Sequence, residues 1–467
     1  MKKVFGIMAL ALTLAACTKT EVNIPFSATI SIGNSPATKA LADEGTQLTA
    51  TWAVGDKVAL IHNGVSDEMT VASVTGGVAT ISGTISGSPA DGDAVTVIYP
   101  SSAADGATGD VKSDLLYTQN GLLTGEGSIA EKSDVRKGTG TLRVSGTATL
   151  GGSVELTNEF AIFKFTVRGA DGTTAINTRP LTVTIGTQAY VITPATATDT
   201  LYVALPAATE QKVIFDAVDE SNKTYTCAKL RTTFTEGNYY QTTLKMREYV
   251  LMGEGYNLKW ATCNVGGDHP EDYGDYYSWG ATNTQSSYNW GHYPYMAVGE
   301  SSWQHINKYT FADEQTSGSW YDGSTFKGDN GDGVEHKDLA SYDYIDDVAR
   351  QSWKGTWRTP TAAEWTALRN TDNFTWAWTN DYNGTGVKGR TVTSKVSGYE
   401  GNQIFLPAAG YYFTSEADRG GGGYYWSSSL SKTRSNNAQC ILFFSSGKPE
   451  GTTGGRQNGQ SVRAVAE

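Results

Sequence analysis

The sequence predicts a mainly β protein with an α+β C-terminal domain, and three observations carry that prediction. The first half alternates Val, Ile, Thr and Ala with Gly, Asp and Ser turns at short spacing, the pattern of many short strands. Long helical periodicities are scarce, while glycine is abundant, at 53 residues. Only Trp52 of the twelve tryptophans lies before residue 247. The remainder crowd a second half rich in Tyr, Asn and Gly. Two kinds of domain therefore join near residues 245–249, and independent cores with a small interface are expected there.

Residues 1–17 open with Lys2 and Lys3, continue with a short apolar run and end in Leu14-Ala15-Ala16-Cys17. A basic head, an apolar core and small residues before a cleavage point make an export signal. The run is too short to span a bilayer as a mature helix. Its ending resembles the lipobox of bacterial lipoproteins, which implies that Cys17 becomes the lipidated first residue. At about 0.8 kcal/mol per buried CH₂, two or three acyl chains hold firmly.

After it come β-rich runs at 58–61, 95–99, 154–156, 162–167, 181–185, 201–205 and 240–244. Turn pairs such as Asn63-Gly64, Asp91-Gly92 and Asp171-Gly172 punctuate them. Short strands at this spacing predict sandwiches rather than α/β units. Two small ones, over 18–166 and 167–246, suit the length better than one, with a join at 165–169. Phe26-Ser-Ala-Thr-Ile, Ala37-Thr-Lys39-Ala, Trp52-Ala-Val-Gly55-Asp56, Ile98-Tyr-Pro-Ser and Gly237-Asn-Tyr-Tyr240 resemble the fimbrillin-like proteins of the Bacteroidales. The resemblance implies two transthyretin-like β-sandwiches, a surface lipoprotein and, for some members, assembly into pili with other subunits by strand exchange. It also makes residues 24–31 a removable N-terminal strand and Lys39 a cut site for a trypsin-like protease. Without it, Lys39 is an exposed loop lysine.

From Tyr256 the chain runs through Trp260-Ala-Thr-Cys263-Asn264, Tyr273-Gly-Asp-Tyr-Tyr-Ser-Trp279-Gly280, Trp357-Arg358-Thr-Pro360-Thr361, Glu364-Trp365, Phe405-Leu-Pro407, Tyr425-Trp426-Ser427 and Val462-Arg463. Thr361-x-x-Glu364 is a capping box, and Trp365 and Leu368 then share a helix face. A second short helix is expected over 344–353. The ordered blocks of 247–467 resemble the Fibrobacter succinogenes major paralogous domain. That family resembles the C-type-lectin-like fold of sulfatase-modifying enzymes, and the resemblance leaves activity open.

Chemistry is weighed on the residues themselves. A net charge of −12 argues against nucleic acid and against a polybasic membrane surface. Cys227, Cys263 and Cys440 remain after Cys17. Cys263 and Cys440 are the candidate pair for one bridge, with buried free thiols the alternative. Neither has the basic surroundings that favour a thiolate. The five histidines show no His-x-x-x-His spacing, and no Gly-x-Ser-x-Gly elbow or P-loop occurs. An enzyme of the sulfatase-modifying type is therefore a distant third reading, and the chain is expected not to be an enzyme. Asp329-Asn-Gly-Asp332-Gly offers hard oxygens that suit Ca²⁺, although that spacing also marks a solvated turn; no other cofactor is expected. The tryptophans inside family blocks, Trp260, Trp357, Trp365 and Trp426, are expected in the core. Trp279, Trp290, Trp303 and Trp320 fall in a loop-like stretch. Trp290, Trp303 and Trp320 are the candidate ligand contacts, since exposed indoles beside Asn and Ser stack sugar faces.

The expected protein is lipid-anchored through Cys17 to the outer membrane and surface-exposed. It would act as a pilus tip or stalk-mounted adhesin for glycan or host surface protein. The alternative is a non-polymerising surface lipoprotein that captures polysaccharide for uptake.

Overall fold

A computed structural model describes residues 23–32, 42–43, 48–49, 51–253, 255, 257–310 and 325–467. Cys17, Lys39 and Trp320 lie outside them.

Strands dominate, with two short α-helices in the C-terminal part among the described residues. Each of the seven β-rich runs lies in an observed strand; the run at 58–61, for example, sits in Lys57–His62. In the first unit the strand Ile24–Ile32 alternates, burying Phe26, Ala28 and Ile30. It pairs antiparallel with Val78–Ile85 from Ile24↔Ile85 to Ser31↔Val78. On its other side it runs parallel to Val154–Asn158 and touches Thr147–Leu150. Those pairings close eight strands into a barrel, which removes the free sheet edges a two-sheet sandwich would keep. Trp52 sits in that core, edge-on to Tyr99 at 5.1 Å.

The second unit packs a small sheet (Thr200–Leu205, Ala161–Arg168, Tyr239–Lys245) against a larger one. Phe163, Phe165, Phe215 and Phe234 fill the space between them. The join expected at 165–169 falls inside the unbroken strand Ala161–Arg168, whose alternate side chains all serve this second core. The chain last changes units just before it, where Phe160 packs against both the second core and a satellite cluster of the first unit; earlier, Leu116, Ile129 and Ala130 already enter the second core and Thr118–Gln119 pairs with Gln188–Ile192.

The boundary expected at 246/247 is also bridged. Arg247–Leu251 pairs with Thr224–Phe234 of the second unit and with Lys259–Ala261, which in turn pairs with Val465–Ala466. One eight-stranded sheet thus runs from the second unit into the C-terminal one. Side chains reinforce it. Arg247 lies 4.0 Å over the Trp353 ring, and Lys259 Nζ is 2.7 Å from Asp216 Oδ1. At Gly355 (φ +61°) a Cβ would stand 2.7 Å from the Ala228 carbonyl oxygen, so only glycine permits that approach.

In the C-terminal unit, α1 (Val348–Trp353) begins four residues later than expected. Asp343 and Tyr344 have φ of +52° and +57°, outside the helical region. Asp347 then caps α1 by accepting from Ala349 N–H and Arg350 N–H. The helix α2 (Ala362–Leu368) carries the predicted capping box. Thr361 N–H donates to Glu364 Oε2 at 2.7 Å, and Glu364 N–H donates to Thr361 Oγ1 at 3.2 Å. Two three-stranded antiparallel sheets follow, Phe374–Thr379/Gly389–Ser394/Gln403–Pro407 and Gly422–Leu430/Asn437–Phe444/Glu450–Gly455. Trp260, Trp357, Trp365 and Trp426 are buried. No helix among the described residues is long and apolar enough to cross a membrane.

Candidate functional site

The loop tryptophans separate into two kinds. Trp279 is 1% exposed and donates its indole N–H to the Ser427 carbonyl at 2.8 Å, so it belongs to the core and not to the surface stretch. Trp290 and Trp303 are half-buried, each opening a 3₁₀ turn (Trp290–His292, Trp303–His305). Both pack on the same cluster, built on buried Tyr293 and Ile306 with Met296 and Phe326 beside them. Ala297 N–H donates to the His305 carbonyl and Asn307 N–H to the Tyr295 carbonyl, both at 2.9 Å, and this ties the two turns together. Trp290 meets Tyr293 edge-on at 5.6 Å. The structure thus gathers two of the three candidate contacts into one patch, bordered by exposed Asn289 and by His305 3.5 Å from Glu300.

The patch stands on a fixed base. Arg456 is fully buried beneath it. Its guanidinium donates to Tyr293 Oη (2.8 Å) and to the carbonyls of Lys308 (2.8 Å), Tyr309 (3.0 Å) and Ser435 (3.0 Å), and it lies 5.0 Å over the Trp279 ring. A planar cation with this many fixed acceptors holds several loop segments in one register. Half-exposed indoles on such a base can stack a flat apolar ligand face.

The two aspartates proposed for calcium are held by different partners. Asp329 is 1% exposed, and its carboxylate accepts from Tyr309 N–H (2.6 Å), Tyr342 Oη (2.6 Å) and Thr310 Oγ1. Asp332 is exposed, accepts from Val334 N–H and lies 3.4 Å from His336. Among the described residues no group of three or more His, Cys, Asp or Glu is placed to hold a metal. Cys227, Cys263 and Cys440 are free thiols, so the candidate bridge is not formed. Burial pushes Cys227 and Cys440 up to about 12 and raises Cys263 as well, keeping all three protonated at neutral pH.

A cleft of about 950 Å³ escaped the sequence reading. It lies between the second unit and residues 342–355, and Phe165, Phe215, Phe234, Tyr240 and Arg350 line it. Leu230 and Ile345, 43% and 59% exposed, stand at its rim. Along one wall, Thr224–Phe234 pairs with Arg247–Leu251 only at 224–226. Along the other, Tyr239–Lys245 is the outer strand of its sheet. Exposed Leu in a strand was the available signal, but which edges face each other depends on distant pairing.

No family profile matches the chain, and no curated protein matches it. Among solved structures, a candidate cell adhesion protein of Bacteroides ovatus is 12% identical with a TM-score of 0.30, covering 49% of this chain and 96% of its own. A fimbrial assembly protein of Parabacteroides distasonis is 13% identical with a TM-score of 0.29, over 49% and 96%. A fimbrial protein of Bacteroides ovatus is 14% identical with a TM-score of 0.23, over 94% and 98%.

Proposed function

We propose that the protein is a surface adhesin, anchored through Cys17 and able to end a filament. Its two N-terminal β units join it to a neighbouring subunit, and its C-terminal unit, in this reading C-type-lectin-like, presents the Trp290–Trp303 patch to glycan or host protein. The observation that carries this reading is the strand Ile24–Ile32. It is hydrogen-bonded on both sides, supplies Phe26, Ala28 and Ile30 to the core, and lies just ahead of Lys39. Cutting at Lys39 and releasing that strand would leave a groove with two unpaired walls, which an extended strand from another chain can fill.

The tip reading also takes account of how residues 462–466 are used. Val462, Ala464, Val465 and Ala466 are each at most 2% exposed, and Val465 pairs with both Trp260 and Arg358. That stretch is built into a folded core and is not a free strand to lend. Immunogold microscopy with antibody to residues 247–467 should mark filament ends only. Regular labelling along the shaft rejects the tip position, and cells without filaments favour the polysaccharide-capture alternative.

A further inference from the structure

We propose a second ligand site on the C-terminal unit, a trough for an acidic polysaccharide between α2 and the sheet containing Asn437–Phe444. The trough holds about 1100 Å³, just above the range for small-molecule pockets, about 300–1,000 Å³. It is open along its length and continues into two smaller hollows that share Ser429, Lys432, Gln439 and Arg369 with it. Room and openness suit a chain of sugar rings passing through better than a small molecule enclosed on all sides.

Its lining reverses the sign of the molecule. The protein carries a net charge of −12, yet Arg369, Lys432 and Lys448 line the trough and no carboxylate does. Lys432 and Lys448 are exposed, and no ion pair joins either to a carboxylate among the described residues. The Arg369 guanidinium donates to Thr366 Oγ1 at 3.3 Å, and Glu450 on the neighbouring strand is the acidic group that it feels. In the adjoining hollow Lys337 is paired with Glu335 at 2.7 Å. There Asp338 is occupied by the hydroxyls of Ser428 (2.9 Å) and Ser429 (2.7 Å) and by Ala340 N–H (3.0 Å). An acidic ligand in the trough would therefore meet unneutralised cations and little opposing charge.

The floor selects the ligand class. Small side chains, Ala362, Ala363, Ala367 and Pro449 with Thr366 and Ser429, line it beside the cations; Thr366 Oγ1 donates to the Ala362 carbonyl and Ser429 Oγ to Asp338, so their oxygens face a ligand as acceptors, and no aromatic ring lines the trough. A neutral sugar site presents an aromatic face for stacking, and a peptide site presents apolar pockets for anchoring side chains. A shallow wall of small side chains with spaced cations and no large apolar pocket instead fits a polyhydroxylated chain bearing sulfate or carboxylate groups. The site stands apart from the Trp290–Trp303 patch and from filament joining, so it survives the failure of either.

The test uses the full chain on immobilised heparin, polygalacturonate, neutral dextran and double-stranded DNA. The trough variant is Lys432→Glu/Lys448→Glu. Lys212→Glu/Lys388→Glu, at exposed positions outside the trough, makes the same change in net charge. The wild type should be held by heparin or polygalacturonate and released by salt. Heparin alone assigns sulfate, and polygalacturonate alone assigns carboxylate. The trough variant should bind about tenfold more weakly, while the control variant and dextran behave as before. No retention of the wild type on either acidic glycan, equal weakening in both variants, or DNA held as tightly as the glycans would overturn the proposal.

Discussion

At the scale of single residues, the buried charges decide most. Asp134 and Arg136 are at most 2% exposed. Asp134 Oδ1 accepts from Arg136 Nε (3.0 Å) and Asn158 Nδ2 (2.8 Å), while Oδ2 has no hydrogen-bond partner among the described residues. Burial pushes the Asp134 carboxyl up to about 7 against the pull of Arg136. Its unfolded value is about 3.9, so between the two the folded state binds the proton and the unfolded state does not. The first unit should therefore lose stability as pH rises from about 4 to about 7. Hydrogen-exchange protection of Lys57–His62 should fall over that window, and Asp134→Asn should flatten the dependence. Glu364 behaves oppositely. Burial alone would raise its pKa, but Arg358, donating at 2.7 and 2.9 Å, and Thr361 N–H hold it below the usual carboxylate range. Its contribution is complete above the ordinary glutamate value and is lost as pH falls. Glu364→Gln leaves the buried Arg358 with only the exposed Glu467, 3.6 Å away, as counter-charge, and should destabilise the C-terminal unit by about 3 kcal/mol in a urea titration.

At the scale of elements, what was legible in the sequence was what local chemistry fixes. The capping box at Thr361–Glu364 needs four consecutive residues and no distant partner, and it forms as predicted. The strand runs declare themselves by alternation. The start of α1 was misplaced because positive φ at Asp343 and Tyr344 leaves no signature in ordinary side chains. The burial of Trp279, in a loop-like stretch, is not legible locally because its partner Ser427 lies 148 residues away. The Trp290–Trp303 patch was half-legible: the two indoles stand in the sequence, but their convergence on Tyr293 and Ile306 depends on the path of the loop. The strand Ile24–Ile32 carries its own prediction. Protein cleaved after Lys39 and stripped of the released segment should bind a synthetic 24–32 peptide, and Phe26→Asp in that peptide should abolish binding by placing a carboxylate in the barrel core. Equal binding of both peptides would remove the groove.

At the scale of the whole molecule, three cores are joined in two different ways. The first and second units meet at a chain crossing around Phe160 and through the short strand Thr118–Gln119, which pairs with Gln188–Ile192, while Leu116, Ile129 and Ala130 enter the second core. The second and C-terminal units share a sheet through Arg247–Leu251. A fragment of residues 247–467 would expose one edge of that strand, the Arg247–Trp353 stack and the Gly355 contact surface. In the full chain the second and C-terminal units should therefore unfold in one calorimetric transition, whereas 247–467 alone should melt at lower temperature or fail to fold. A 247–467 fragment that melts at the temperature of the full chain's C-terminal unit would restore the independent halves that composition suggested.

The shared strand also bears on mechanical load. A surface protein that grips a target under flow is pulled between its anchor and its grip. Where two units are strung on a single peptide, tension falls on whichever fold is weaker. Here Arg247–Leu251 is laced to neighbours on both sides, so tension passing from the second unit to the C-terminal one is spread over several parallel hydrogen bonds that must break together. Between the first and second units the lacing is shorter, since Thr118–Gln119 pairs with Gln188–Ile192 at two positions only. Under load the molecule should yield there first, and the grip and its supporting unit would travel as one body.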